Sequence, residues 1–414
     1  MDIFDKIYKK QGPIGQHAWF SHNYFTFPKL DGEISNRMKF RGKEKIIWSL
    51  NNYLGLANHP EVRATDAEAA RIYGLARPMG ARMMSGNSDL HEQLENELSA
   101  FVGKEDTFLL NYGYQGVLSI IDSLLDRHDI LIYDAESHAC IVDGARLHMG
   151  KRFAFTHNNM ESLEKQLKNA TNTLGPEGSI LVITEGVFGM SGDQGKLKEI
   201  VELKKKYNFR LFIDDAHGFG VMGPQGQGTH FEQGVPDGVD IYFATFAKAM
   251  ASIGAFVSSK KEIILFLRYE MRSQTFAKAM PMPFVVGNLK RLELIQKHPE
   301  FKVKLWTIVN AMQKGLKERG FNIGATNTCV TPVYLKGTTQ EAANLIMDLR
   351  ENFGVFCSMV IYPVIPKGEI LIRIVPSADN TMEDVEITLN AFTEIAKRLK
   401  EKKYDSQIVN TPKL

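Results

Sequence analysis

The sequence predicts an α/β fold: a large, mostly parallel sheet covered on both faces, followed by a smaller C-terminal α+β domain. Three observations predict it. Short, nearly continuous apolar runs alternate with amphipathic stretches, the pattern of strands buried between two layers of helices. The chain has 414 residues, 44% of them hydrophobic, enough for one large core or two unequal ones. Near residue 290 the texture changes, and longer helical patterns begin to alternate with isolated strands.

An N-terminal arm is expected over 1–55, a large α/β domain over 56–290 and a small α+β domain over 291–414. The start, "MDIFDKIYKKQGPIG", carries no apolar h-region, and no stretch approaches the roughly 20 apolar residues of a membrane span. "SDLHEQLENELSAFV" (88–102) places Leu90, Leu94, Leu98 and Phe101 on one helical stripe, with Ser88 and Asp89 suited to its N-terminus. "TFLLN" (107–111) reads as a strand entering the helix "GYQGVLSIIDSLL". Further strands are expected at 129–134, 179–188, 209–215 and 239–246. Beyond 290, "KLWTIVNAMQKGLKERG" is helical, "CVTPVYL" and "ILIRIVP" are strands, and the last ten or so residues form a frayed tail.

Charge and cysteine usage narrow the class. Fifty Lys and Arg against 48 Asp and Glu, scattered rather than blocked, give no reason to expect a nucleic-acid partner. Cys140, Cys329 and Cys357 are odd in number and lack CxxC spacing. They read as reduced thiols, neither a disulfide frame nor a metal site. A soluble, cytoplasmic protein is expected.

Lys248 is the residue that asks for an explanation. In "YFATFAKAMASIGAF" (242–256) it follows a strand and stands among alanines, Phe246 and Met250. Desolvation lowers a lysine's pKa, and a lysine neutral near pH 7 is a nucleophile able to form a Schiff base. The plainer reading is a lysine snorkelling from a helix start. Three other segments bear on the choice. "LFIDDAHGFG" (211–220) ends a strand with Asp214, Asp215 and His217, where open α/β sheets bind ligands. "LIYDAESHACIVDG" (131–144) sets His138 just beyond another strand end. "LLNYGYQGV" (109–117) runs through Gly113 and Tyr114 into a helix start, whose free N–H groups and dipole suit a phosphate. A phosphate cradle, a ring-stacking histidine, a carboxylate and a Schiff-base lysine are what pyridoxal 5′-phosphate (PLP) binding requires.

The order and spacing of these motifs resemble the fold-type I PLP transferases of the aspartate-aminotransferase architecture. More narrowly the chain is similar to the α-oxoamine synthases, bacterial serine palmitoyltransferase-like members above all, from "WSLNNYLGLANHP" (48–60) to "ILIRIVPSADNT" (370–381). That resemblance implies roles. Lys248 is the Schiff-base lysine and moves the substrate Cα proton. Asp214 faces the pyridine nitrogen, His217 the ring's phenolic oxygen, and His138 stacks on the ring. Gly113, Tyr114 and Thr245 hold the phosphate, while Arg373 and Asn51 meet the substrate carboxylate. Asn51 also reads as a plain turn residue, and Glu185 as either an acid near the cofactor or a loop residue. "SQTFAKAMPMP" (273–283) is similar to the segment that reaches the partner subunit's phosphate, with Ala277 in place of a hydroxyl residue and Thr275 or Lys278 left to make that contact.

The activity implied is a decarboxylating Claisen condensation of a small amino acid with a long-chain fatty acyl thioester, carried on coenzyme A or an acyl carrier protein. A homodimer with its site at the subunit interface goes with it. Relatives that use serine carry hydroxyl residues where this chain has Ala81 and Ala247. A methyl at Ala81 beside the cation of Arg82 suits serine's sulfonate analogue, cysteate, and serine itself stays open. The other condensations of the family, of the 8-amino-7-oxononanoate synthase and 2-amino-3-ketobutyrate ligase types, are the alternatives. An aminotransferase or a non-catalytic protein on the same fold are those from other classes.

Overall fold

The computed structural model describes residues 2–9, 15, 21–362, 365 and 368–405. They divide into two compact units, Asn51–Lys302 and Met1–Leu50 with Val303–Leu414.

The larger unit is built on a seven-stranded sheet. Helix α1 (Asp89–Phe101) precedes β1 (Asp106–Leu110). Then come α2 (Gly113–Leu124), β2 (Ile130–Asp134), α3 (Ala139–Leu147) and β3 (Lys151–Phe155). The remaining strands are β4 (Ile180–Glu185), β5 (Arg210–Asp214), β6 (Ile241–Thr245) and β7 (Ala255–Ser259). The spatial order is β1-β7-β6-β5-β4-β2-β3. Neighbours from β6 to β3 pair in parallel, while β7 runs antiparallel to both β6 and β1. All six residues of β4 and all five of β6 are buried, as a sheet covered on both faces demands. One face packs Leu131, Leu181, Ile183 and Phe243 against Val117 and Ile121 of α2 and Ile141 of α3. Ser88 caps α1 by accepting from the His91 amide, and Leu94, Leu98 and Phe101 lie on its buried face.

The second unit holds two small sheets. Strands Leu30–Asp31, Arg37–Phe40 and Lys43–Ile47 pair antiparallel, and Val355–Phe356 adds to the last in parallel. That pairing explains why residues 21–50 belong with the C-terminal part of the chain rather than standing apart as an arm. The Arg350 guanidinium strengthens the join: it lies 3.9 Å from the Phe356 ring centre and within 6 Å of the Tyr24, Phe25 and Phe40 rings. The other sheet orders Thr331–Lys336, Glu369–Ile374 and Ser358–Val360, all antiparallel. Compactness thus draws the boundaries at 50/51 and 302/303, where the change in texture sets them at 55/56 and 290/291. Tyr404 is buried and donates to Asp348 (2.6 Å), so the chain stays packed that far; most of the expected tail, 406–414, lies outside the described residues.

One charged cluster ties the end of β2 to the loop after β4. The His157 ring reaches Asp134 through Nδ1 and Asp193 through Nε2, both at 3.0 Å, with Glu136 at 3.8 Å. Burial alone would lower the histidine's pKa; the two carboxylates outweigh it and raise it from 6.5 to about 10. A raised histidine pKa stabilises the fold only while the ring is charged. The contribution is full below pH 6.5 and is lost as pH climbs through about 10. Allowing for the ring's partial exposure, we expect on the order of 2 kcal/mol. Urea unfolding at pH 6.5 and 9.5 should therefore show wild type losing more stability than H157Q; equal losses would contradict the assignment.

Candidate active site

Parallel strands bring their C-terminal ends to one edge, and this edge collects the titratable groups. Glu185 ends β4, Asp214 ends β5, and the two are register partners. Thr245 ends β6, and the chain turns there to β7. In that turn Phe246 N donates to Gly254 O, Ser252 N to Phe246 O and Ala251 N to Lys248 O, at 2.8–2.9 Å. Phe246, Ala249 and Met250 are fully buried, and Ala251 takes a left-handed φ of 47°. The apolar neighbours of Lys248 thus anchor the turn, and the lysine itself is half-buried.

The two acids share one dry site. Burial, and then the Asp214 charge, push Glu185 well above its usual 4.5, while the His138 amide and Lys248 oppose the shift. Burial also raises Asp214 from 3.8, against the Lys248 charge and the Ala216 amide, which donates to its Oδ1 at 3.0 Å. Two carboxyls in one low-dielectric site cannot both ionise freely, and the Asp214 charge adds to burial in pushing Glu185 upward. Asp215, next along the chain, points elsewhere. It accepts from Thr229 N (2.7 Å), Thr229 Oγ1 (2.6 Å) and Tyr242 Oη (3.1 Å), and burial raises it to about 7.

His138 is the N-cap of α3. Its amide donates to Glu185 Oε1 (2.5 Å), and its Nδ1 accepts from the Cys140 amide (3.3 Å). The Tyr114 ring stands edge-on to it at 6.0 Å, with its hydroxyl donating to Asp143. His217 Nδ1 lies 2.6 Å from Tyr53 Oη. A phosphate-sized anion has a ready seat at the start of α2. Its N-cap Tyr112 offers no side-chain bond, and a Cβ on Gly113 would come 3.3 Å from Thr245 Oγ1. Thr245 Oγ1 itself donates to Gly254 O (3.0 Å) and accepts from Ala247 N (3.2 Å).

Other expected residues fare differently. Arg82 does not offer a free charge for a substrate. Its guanidinium is bound to both oxygens of buried Glu95 (2.9 and 3.0 Å), which also accepts from Arg268 (3.0 Å) and the Leu109 amide (2.9 Å). The Phe108 ring lies within 6 Å of both arginines. Arg82 is thus structural, because its charge is already neutralised in a partly dry site. Ala81 accepts from Met84 N and Gly86 N, closing the short turn that follows it. Thr275 Oγ1 donates to Met271 O (3.1 Å) in its own turn, and the Lys278 side chain is exposed. The side chain that closes the turn beside Asn51 is Asn52, whose Oδ1 accepts from Ala57 N (3.1 Å). Arg373 sits mid-strand in the second unit, opposite Pro332 and Ser358. Sequence reasoning missed Tyr53 and Cys140. Tyr53 adjoins the "NNYLGL" motif and Cys140 follows His138, so adjacency was the available signal.

The model of aminotransferase class I and II matches residues 43–392. The chain belongs to that family. It is 58% identical over 401 residues to the cysteate-C-fatty acyltransferase of Capnocytophaga ochracea, covering 96% of this chain and 95% of that protein. It is 36% identical to the serine palmitoyltransferase of Bacteriovorax stolpii, covering 90% and 88%. Among solved structures, a serine palmitoyltransferase variant from S. paucimobilis with PLP–myriocin bound superposes with a TM-score of 0.88 at 28% identity, covering 97% of this chain and all of that one. The cofactor of this class I and II chain is PLP, and the large unit fits it. An acid pair lies buried beside a lysine, and an open helix start meets a threonine hydroxyl across a glycine that any side chain would crowd.

The two adjacent aspartates make separable predictions. D215N turns a three-fold acceptor into a group with one N–H face, and the cofactor-free protein should lose about 1–3 kcal/mol. D214N should leave the cofactor-free melting midpoint nearly unchanged while turnover falls by orders of magnitude. Thermal melts and assays of both variants check this; a destabilised D214N beside a normal D215N would reverse the assignment.

Proposed function

We propose that the enzyme joins cysteate to a long-chain fatty acyl thioester. The observation that carries this reading is the 58% identity over nearly the whole chain to a cysteate-C-fatty acyltransferase, against 36% to a serine palmitoyltransferase. A carbon–carbon bond forms between the cysteate Cα and the acyl carbonyl carbon. The carbon–sulfur bond of the thioester breaks and the thiol leaves with a proton; the carboxylate departs as CO2, and a proton takes its place at Cα, one proton being drawn from water overall. The product is a sulfonated 2-amino-3-ketone, the sulfur counterpart of a 3-keto sphingoid base. Coenzyme A or an acyl carrier protein carries the acyl group, and the enzyme works as a homodimer.

PLP, when bound, is an electron sink for negative charge at the amino acid's Cα. We assign the chain's own groups around that chemistry. Lys248 removes and returns the Cα proton, carried on a turn whose neighbouring side chains, Phe246, Ala249 and Met250, are buried. Asp214 supplies the anion for the pyridine nitrogen. Glu185, kept neutral, adds no competing charge beside it. His138, whose backbone is fixed by its bond to Glu185, would cover one face of the cofactor ring. Gly113, Tyr114 and Thr245 receive the phosphate, with Thr275 or Lys278 reaching the second subunit's phosphate. Arg373 and Asn51 hold the substrate carboxylate; a guanidinium binds a carboxylate bidentately. The methyl of Ala81 stands where a hydroxyl would favour serine, while Arg82 is committed to Glu95.

Steady-state assays with one long-chain acyl thioester and cysteate, serine, alanine or glycine test the reading. Cysteate should give a kcat/KM at least about tenfold above serine, roughly 1.4 kcal/mol of transition-state preference. Serine ahead of cysteate would overturn the sulfonate assignment, and alanine or glycine ahead of both would overturn the long-chain-base reading as well.

A further inference from the structure

We infer that Tyr53 is a positioning residue that fixes the tautomer and the stance of His217. Three features meet at this ring. Tyr53 is fully buried, and its hydroxyl lies 2.6 Å from His217 Nδ1, within the range of a strong hydrogen bond. The two rings pack at 6.1 Å and 58°, so the phenol restrains the imidazole sideways as well as at its nitrogen. On the other side, a Cβ on Gly189 would fall 2.3 Å from His217 Nε2. The ring therefore occupies a place that only a glycine at 189 leaves open, between the loop after β4 and the segment that carries Tyr53.

The consequence follows from the two-nitrogen chemistry of imidazole. When one ring nitrogen accepts a hydrogen bond, the neutral ring carries its proton on the other. With the phenol donating to Nδ1, His217 is an Nε2–H donor. A ring so fixed offers a hydrogen bond to an anionic oxygen without first choosing a tautomer, as partners behind metal-bound histidines do. Sequence separation hides this pair, since the two residues lie 164 positions apart. Asp214 is three residues back on β5 and Lys248 follows β6, so the turn that carries His217 is bounded by the site's charged groups.

The inference deepens the functional reading above and rests on it only for what the N–H would meet. Its primary test does not depend on any cofactor. In cofactor-free protein labelled with 15N-histidine, with H217Q used to assign the signal, wild-type His217 should be the Nε2–H tautomer. In Y53F the ring should populate both tautomers. A wild-type Nδ1–H tautomer, or a Y53F signal unchanged from wild type, would overturn the proposal. The second readout uses the PLP-loaded enzyme at fixed pH. Y53F should change the ratio of the cofactor's two visible absorption bands at least about twofold and lower kcat about tenfold, with the KM for the acyl thioester unchanged. A Y53F enzyme with a normal spectrum and normal kcat would also overturn it. Should Y53F fail to fold, the wild-type tautomer decides alone. Failure of the cysteate preference would leave this result untouched, because the tautomer and the cofactor spectrum are both read with no amino acid present.

Discussion

The structure of the site turns on the cost of keeping two carboxyl groups in a dry place. Asp214 and Glu185 end adjacent parallel strands and cannot move apart without breaking the sheet register. Ionising both would place like charges together away from water, an arrangement proteins avoid by holding one proton back. Everything around the pair answers that constraint. Lys248 brings the compensating charge, the Ala216 amide binds one oxygen of Asp214, and the His138 amide binds one oxygen of Glu185. The same arrangement leaves Asp214 as the group whose anion a pyridinium would complete.

Rigidity at the strand ends supports this pair from behind. His157 bridges Asp134 and Asp193, and Asp215 is gripped by Thr229 and Tyr242. Glu95 collects two arginines beside Phe108. Each of these clusters pins a loop that leaves the C-terminal edge or a helix beside it. Among these groups the Asp134, Asp193 and Glu95 carboxylates are paired with cations, and Asp215 is held by neutral donors.

The strands and the acids at their ends were legible in the sequence because both depend on local pattern. Apolar runs predicted β4, β5 and β6, and the polar residues that stop those runs are Glu185, Asp214 and Thr245. Which of two adjacent aspartates faces the site was not a local matter. A strand alternates its faces, so Asp214 and Asp215 point apart, and only the positions of Thr229 and Tyr242 show which is structural. Arg82 misled for the same reason. As a motif residue it suggested a substrate contact, but its partner Glu95 lies on a buried face of α1 whose polarity reads as solvent-facing from sequence. The hairpin of residues 30–47 joins the C-terminal unit through a two-residue pairing with 355–356, too short and too distant to leave a pattern.

The central claim is that Glu185 holds a proton beside an Asp214 that is free to ionise. Infrared difference spectroscopy of the cofactor-free protein at pH 7, wild type minus E185Q, addresses it directly. Other protonated carboxyls, Asp215 among them, cancel in that difference. The account predicts a protonated-carboxyl carbonyl band present in wild type and missing from E185Q. A difference spectrum with no such band, or with a carboxylate band in its place, would show Glu185 ionised and contradict it.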